Sequence, residues 1–266
     1  MNLSDRSAMN LLVVIVMASA SRLTSYVMAF TPAGANARHD SSPSPGVKTV
    51  NIGKDMDLSI LVPSDDISRQ ISTGSVSSGT KVFTKDGSGD VVWPASFALA
   101  KLIAHCPFFV DDKRVLELGC GLGLPSLAAL LHANPSHVAL SDKDTGVLSL
   151  AYKSSTQLNR ARASVSRSTI EWADKATWPR QEFDILIGSD ILYVPSSILP
   201  LVQVLKHYLH EDDEELPTKR ALLVDPISRT NRAAFTYAAF REGLEVEEEP
   251  FPSMEDEFVL LSLTKA

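Results

Sequence analysis

Cysteine is nearly absent: Cys106 and Cys120 are the only two in 266 residues. They form no ligand cluster and no evident disulfide framework. A basic excess is also missing. Lys and Arg number 25 against 32 Asp and Glu, a formal net charge of −7, which argues against a nucleic-acid-binding surface. Of six histidines, the closest pair, His207 and His210, lies three residues apart near a predicted helix end. That spacing reads as a solvated terminus before it reads as a metal site. Residues 11–18 (LLVVIVMA) are apolar but too few to span a bilayer, which needs ~20. No internal repeat is visible. Apolar residues are plentiful, at 44%, enough to bury a full core in one or two domains.

The N-terminus differs from the rest. Residues 11–18 lead into Ala18-Ser19-Ala20, a small-residue cleavage pattern, so the run reads as a signal-peptide core. From Ser7 to His39 there is no acidic residue, while Ser, Thr and Ala abound and Arg22 and Arg38 add positive charge. That composition resembles an organelle transit segment. Residues 28–32 (MAFTP) resemble the Ala-Phe-x-Pro junction of bipartite plastid leaders in algae with secondary plastids. Residues 32–46 (PAGANARHDSSPSPG) read as linker. The expected division is a leader and linker over 1–46 and one domain over 47–266, delivered to a plastid. The alternative is a disordered N-terminus on a cytoplasmic protein.

Residues 47–89 hold short alternations such as LSILV (58–62) between Ser/Gly turns and read as an irregular, strand-containing lobe. A helix is predicted over 94–105 (PASFALAKLIAH), with Pro94 in its first turn. Strands and helices then alternate. Strands are expected over 115–118, 138–142, 169–172, 183–188 and 221–224, and helices over 125–132, 146–158, 197–208 and 231–241. Residues 244–248 and 258–263 read as a closing hairpin. Such alternation predicts an α/β fold, a mostly parallel sheet covered by helices on both faces.

The chemistry concentrates at 115–125 (VLELGCGLGLP). Gly119, Gly121 and Gly123 fall where a strand gives way to a helix, a turn that lets a ligand touch backbone. In an open α/β sheet this is the crevice at the strands' carboxyl ends. Asp142 ends the next strand, 19 residues after Gly123, near the ~20 expected of an acid that accepts ribose hydroxyls. A dinucleotide fingerprint would need glycine at 124 or 126, and these are Leu124 and Ser126. Glu117, two residues before the first glycine, suits a cationic ligand better than a pyrophosphate. S-adenosyl-L-methionine carries both an ammonium and a sulfonium.

Glu117 to Gly123 (E-x-G-x-G-x-G) resembles motif I of seven-strand S-adenosylmethionine-dependent methyltransferases. Three further pieces resemble the family-16 protein lysine methyltransferases: VVWPAS (91–96), IEWAD (170–174) and SDILY (189–193), the last similar to the D-x-x-Y signature of that group. The resemblance covers roughly Lys54 to the C-terminus. It implies a Rossmann-like seven-strand sheet, mostly parallel with an antiparallel final strand, and a small irregular N-terminal extension. It further implies that Trp93, Gly119, Cys120, Gly121, Asp142, Trp172 and Ser189 contact the cofactor. VDPISRTNR (224–232) departs from the commonest members and looks more like the Asp-Pro-x-x-Arg strand end of relatives that modify organellar proteins.

Methyl transfer is an in-line displacement, so a neutral nitrogen must be held ~3–3.5 Å from the methyl. A lysine ammonium must first lose a proton, and burial helps by lowering its pKa. Asp190 and Tyr193 are the catalytic candidates, Asp190 to orient the amine and Tyr193 to shape its channel. The prolines of an [Asn/Asp]-Pro-Pro-[Tyr/Phe] turn are missing from Ser189-Asp190-Ile191-Leu192, which argues against DNA, RNA-adenine or glutamine acceptors. The expected partner is a protein bearing an exposed lysine, bound by a monomer with no nucleic acid and no membrane insertion. A nicotinamide-like amine and a silent fold that only binds remain as rivals. The acidic stretches 211–215 (EDDEE) and 245–257 (EVEEEPFPSMEDE) are either solvated loops or a lure for a lysine-bearing protein.

Overall fold

The computed structural model describes residues 45–53, 56–63, 91–210, 219–251 and 257–266. The expected leader and nearly all of the linker, the EDDEE stretch and part of the last acidic stretch lie outside the described residues.

Two strands, β1 (Gly46–Gly53) and β2 (Met56–Val62), pair antiparallel as a separate hairpin. The lobe expected to hold strands has them over 46–53 and 56–62, with a register shift between Asn51 and Gly53, and its remainder over 64–89 lies outside the described residues. The hairpin packs through Ile52, Leu58, Ile60 and Val62, all buried, against helices that follow in the chain. The first of these, α1 (Pro94–His105), begins where the sequence predicts. Proline restricts the residue before it to extended backbone, and Trp93 has φ −78°, ψ 147°. Ala95, Ala98, Leu99, Leu102 and Ile103, spaced three and four apart, form the buried stripe.

Beyond α1 run β3 (Arg114–Leu118), α2 (Leu124–His132), β4 (His137–Asp142), α3 (Thr145–Lys153), β5 (Ser164–Thr169) and β6 (Ile185–Ser189). They are followed by α4 (Ile198–Tyr208), β7 (Arg220–Pro226), α5 (Arg232–Arg241), β8 (Leu244–Pro250) and β9 (Phe258–Lys265). Seven of these strands make one sheet in the order β5-β4-β3-β6-β7-β9-β8. All neighbours are parallel up to β7, and β9 runs antiparallel to both β7 and β8. The expected sheet with an antiparallel final strand is thus present, with β9 inserted between β7 and β8.

The central strands obey the two-residue alternation of a sheet. Leu116, Leu118, Leu186 and Leu223 face a core with Leu201, Val202, Leu205 of α4 and Phe235 of α5. Val115, Ile185, Ile187 and Leu222 face the opposite core with Leu99, Leu102 and Ile103 of α1. A strand buried on both faces reads as a continuous apolar run, which is why β3 and β6 were legible. Removing one such side chain, as in Leu116→Ala, costs about 2–5 kcal/mol.

One strand is displaced from its expected place. The strand predicted over 169–172 ends at Thr169, and the observed β5 is Ser164–Thr169, SVSRST. It pairs only with β4 at the sheet's edge, so half of its residues are solvated and it lacks the apolar signature. Ile170 and Trp172 supply that signature from the loop beyond. A second difference lies in the helix expected over 146–158, which is α-helical to Lys153 and π-helical over Ser154–Leu158. Ser154, Ser155 and Thr156 each donate to the carbonyl four residues back, at 2.8, 3.1 and 2.8 Å, a competition that loosens helical turns. The widened turn has a use: Ser154 Oγ accepts the Leu61 N–H at 2.8 Å, and Asn159 Nδ2 donates to Ser59 O at 2.6 Å. Both bonds tie the hairpin to the sheet. Among the described residues, no helix is long and apolar enough to cross a membrane.

Candidate active site

The strand order reverses between β4 and β6 on either side of β3, and the crevice at such a reversal is where open α/β sheets bind ligands. A cavity of about 700 Å³ opens there, the size of a small-molecule site. Its floor is the turn from β3 into α2. Gly119 sits at φ 60°, and a Cβ on it would stand 3.0 Å from Ile191 Cγ2 and 3.4 Å from Trp172 Cζ2. Gly123 caps α2 from the left-handed region at φ 72°, with Ala151 Cβ 3.0 Å from where its own Cβ would be. Both positions exclude a side chain by conformation and by space.

Asp142, at the end of β4, is joined to this turn. Its Oδ2 accepts the Gly121 N–H at 2.9 Å, and its Oδ1 accepts the Asp144 N–H at 2.9 Å. Burial raises its pKa, and the two N–H donors oppose the rise. Each carboxylate oxygen keeps a further lone pair, so the group can still accept hydroxyls from the cavity it lines. Asp144 caps α3 in turn, its Oδ1 accepting from Gly146 and Val147 at 2.7 and 3.1 Å. Burial pushes the Cys120 thiol well up, so Cys120 lines the cavity as a neutral apolar group.

Trp93, Gly119, Cys120, Gly121, Gly123, Asp142, Trp172, Ser189, Asp190 and Tyr193 all line the cavity. Glu117, expected to face a cationic ligand, does not. It is 1% exposed, and its Oε2 accepts the Ser126 N–H at 3.0 Å in the first turn of α2. Alternation along β3 puts Glu117 on the side of Val115, toward α2. Its carboxyl is pushed up to about 8 by burial, with Ser126 opposing and Asp142 adding. It braces the glycine turn from behind.

Past β6, Asp190 adopts φ 55°, a left-handed conformation uncommon outside glycine. Its N–H donates to Val224 O at 2.9 Å, and its carboxylate pairs with the Arg229 guanidinium. Burial raises the Asp190 pKa, and Arg229 opposes that rise. Tyr193 is 42% exposed at the rim. Arg229 lines the cavity as well; it and its buried neighbour Asp225 are the Arg and Asp of the Asp-Pro-x-x-Arg strand end, to which the sequence assigns no site role. The available signal was an acid at the end of β7 with an arginine four residues on, inside the 224–232 stretch whose departure was read only as a mark of subfamily. Since parallel strands lie ≈ 4.8 Å apart, Asp142 on β4 and the end of β6, two strands away, are separated by about 10 Å across the glycine turn. Among the described residues no group of His, Cys, Asp and Glu is placed to hold a metal.

This layout is that of the methyltransferase fold. A methyltransferase from Pyrococcus furiosus matches over 65% of this chain and 87% of its own, with a TM-score of 0.50 and 16% identity. The [4+2]-cyclase SpnF matches over 76% of this chain and 92% of its own, with a TM-score of 0.50 and 12% identity. A cyclase among the neighbours means that the fold alone leaves the reaction open. A family model described as lysine methyltransferase matches residues 80–222, more than half of the sequence, and the chain belongs to that family. Relatives include the protein N-lysine methyltransferase METTL21A of Danio rerio, 31% identical over 46% of this chain and 56% of the relative. The protein-lysine N-methyltransferase EEF2KMT of Homo sapiens is 28% identical over 73% of this chain and 65% of the relative. The chain therefore spans less than two thirds of the length of either.

Proposed function

We propose that this protein is an S-adenosylmethionine-dependent N-methyltransferase that modifies a lysine side chain of another protein. The observation that carries the reading is a cavity in which two of the lining carboxylates, Asp142 and Asp190, have different settings. Asp142 is held by backbone N–H groups on one side of the glycine turn. Asp190 is held by an arginine on the other. The family match and the names of both relatives support lysine as the acceptor.

In this reading Asp142 accepts the ribose hydroxyls, and Gly119 and Gly121 let the ligand lie against backbone. Trp172 offers a flat apolar face to adenine, while Cys120, Gly123 and Ser189 complete the wall. Trp93 covers the methionine end, where a ring face attracts a cation. S-adenosylmethionine, when bound, supplies a methyl group on a sulfonium, open to in-line displacement. The chain's own residues must align the acceptor. Asp190 draws the lysine head to the cavity and orients it, and Tyr193 at the rim narrows the channel to an extended side chain. A desolvated amine loses its proton more readily than one in water, and orientation supplies most of the rate, so no strong base is needed.

The test is calorimetric titration of the full chain with S-adenosylhomocysteine beside Asp142→Ala, followed by radiolabelled methyl transfer to cell-extract proteins and to nicotinamide. Binding by the native chain, loss of binding in the variant, and label in protein lysines are expected. A folded native chain that binds nothing would leave a silent scaffold, and label on nicotinamide alone would make the acceptor a small amine.

Two finer proposals rest on sequence. The chain acts as a monomer, which light scattering would check. Residues 1–46 deliver it to a plastid, which fails if a fluorescent protein carrying them stays in the cytoplasm of an alga with a secondary plastid.

A further inference from the structure

Arg229 stands between two carboxylates that it serves unequally. Its Nη2 pairs with Asp190 Oδ1 at the cavity wall. Its Nε lies 3.4 Å from Asp225 Oδ2, yet neither Asp225 oxygen accepts a hydrogen bond and Arg229 Nε donates none, although all three atoms are buried. Asp225 is 1% exposed. The Leu192 N–H is turned toward it and favours its ionised form, though neither oxygen has a full hydrogen-bond partner. Arg232 also acts on Asp225, but its guanidinium is taken by Glu248 Oε1 at 2.7 Å and by the carbonyls of Pro226 and Ile227 at 3.2 and 3.0 Å. Native interiors leave few buried polar atoms unpaired, and each needs a reason.

The arithmetic of the cluster supplies one. Two acids share one arginine, so with both ionised the group is one positive charge short. The two acids sit at the ends of adjacent strands, Asp190 just past β6 and Asp225 within β7, where Ser189 pairs with Val224, and Arg229 follows in the turn after β7. Turning the guanidinium wholly onto Asp225 would satisfy the buried atoms but would strip Asp190 of its partner. Asp190 is the member that faces the cavity, so a cation entering by the cavity makes both pairings complete at once.

Building on the acceptor reading above, we propose that Arg229 is a positioning residue that holds the acceptor's place: it neutralises Asp190 until an ammonium reaches that carboxylate, then turns onto Asp225. Burial pushes Asp225 up to about 7, with Arg229 opposing. Closing the Arg229–Asp225 pair therefore completes the ionisation of Asp225. The empty site is kept from exposing a bare buried acid, and a chain without a cationic head gains nothing by entering.

The acceptor-competent fraction of the protein is the fraction in which Arg229 has left Asp190, and apparent affinity scales with that fraction. The probe is n-butylammonium, titrated by NMR into the full chain saturated with S-adenosylhomocysteine at pH 7.5. Asp225→Asn removes the destination of Arg229 and is expected to weaken n-butylammonium by about fivefold or more, whereas Arg229→Met removes the competitor and is expected to tighten it by about as much. The S-adenosylhomocysteine Kd of each protein, measured first, reports separately on the cofactor reading. If Arg229→Met does not fold, Asp225→Asn decides alone, being nearly isosteric. An Asp225→Asn affinity equal to that of the native chain, shifts of the same sign in both variants, or no saturable binding of n-butylammonium to the native complex overturns the proposal.

Discussion

Glu117→Gln tests whether the glycine turn is braced by a buried, protonated acid. Glu117 is the fourth residue of β3, 1% exposed, and accepts one N–H from Ser126. Burial lifts its carboxyl from 4.5 to about 8. Between those values the unfolded chain has released its proton while the folded chain retains it. The folded state binds more protons, so stability falls as pH rises from 4.5 and levels off above about 8. One pH unit corresponds to 1.36 kcal/mol at full difference. Glu117 alone therefore removes on the order of 3 kcal/mol between pH 4.5 and 7. Glutamine keeps an oxygen for the Ser126 N–H and cannot titrate. The variant should melt close to the native protein at pH 5 and above it at neutral pH, by roughly 6–12 °C for a domain of this size. Melting both proteins by circular dichroism at pH 5, 6, 7, 8 and 9 gives the difference, from which other titrating groups cancel to first order. A Tm difference that stays constant from pH 5 to 8 would refute the reasoning.

Gly119→Ala places a Cβ at φ 60°, 3.0 Å from Ile191 Cγ2; the left-handed conformation costs about 1–2 kcal/mol. Lost S-adenosylhomocysteine binding in calorimetry should accompany a modest fall in Tm. Asp144→Ala removes the side-chain cap of α3 and should lower stability by about 1 kcal/mol in urea denaturation with an unchanged m-value. Tyr193→Ala, at a rim position 42% exposed, should leave Tm within about 2 °C, as exposed sites do, while methyl transfer to protein lysines falls at least tenfold. An unaffected rate would remove Tyr193 from the channel.

Much of the fold was legible in local sequence because local physics dictates it. Pro94 and a three-and-four spaced apolar stripe mark α1 to the residue. Burial on both faces makes β3 and β6 apolar runs that no helix period explains. The glycines at 119, 121 and 123, with an acid at 142, located the crevice, since a strand-to-helix turn that admits a ligand must have that composition. The edge strand β5 was misplaced for the converse reason. SVSRST faces solvent along half its length, so nothing in its composition demanded a strand, while Ile170 and Trp172 beyond it are apolar because they face the cavity and core.

What the chain order cannot carry was decided by the tertiary structure. Glu117 looks like a ligand for a cation when read along the chain, but alternation in β3 turns it toward α2, where burial holds its proton and Ser126 takes its oxygen. The insertion of β9 between β7 and β8 rests on an antiparallel pairing of Ala221–Pro226 with Phe258–Leu263, segments far apart in the chain. Arg229 lies 39 residues from Asp190 in the chain, and the two meet only because β6 and β7 are adjacent in the sheet. Sequence alone determined the crevice, its glycines and the acid that lines it at Asp142, because short-range geometry requires those residue types. Only the packed sheet decided which acids share Arg229, because electrostatic pairing depends on distance in space and not on separation along the chain.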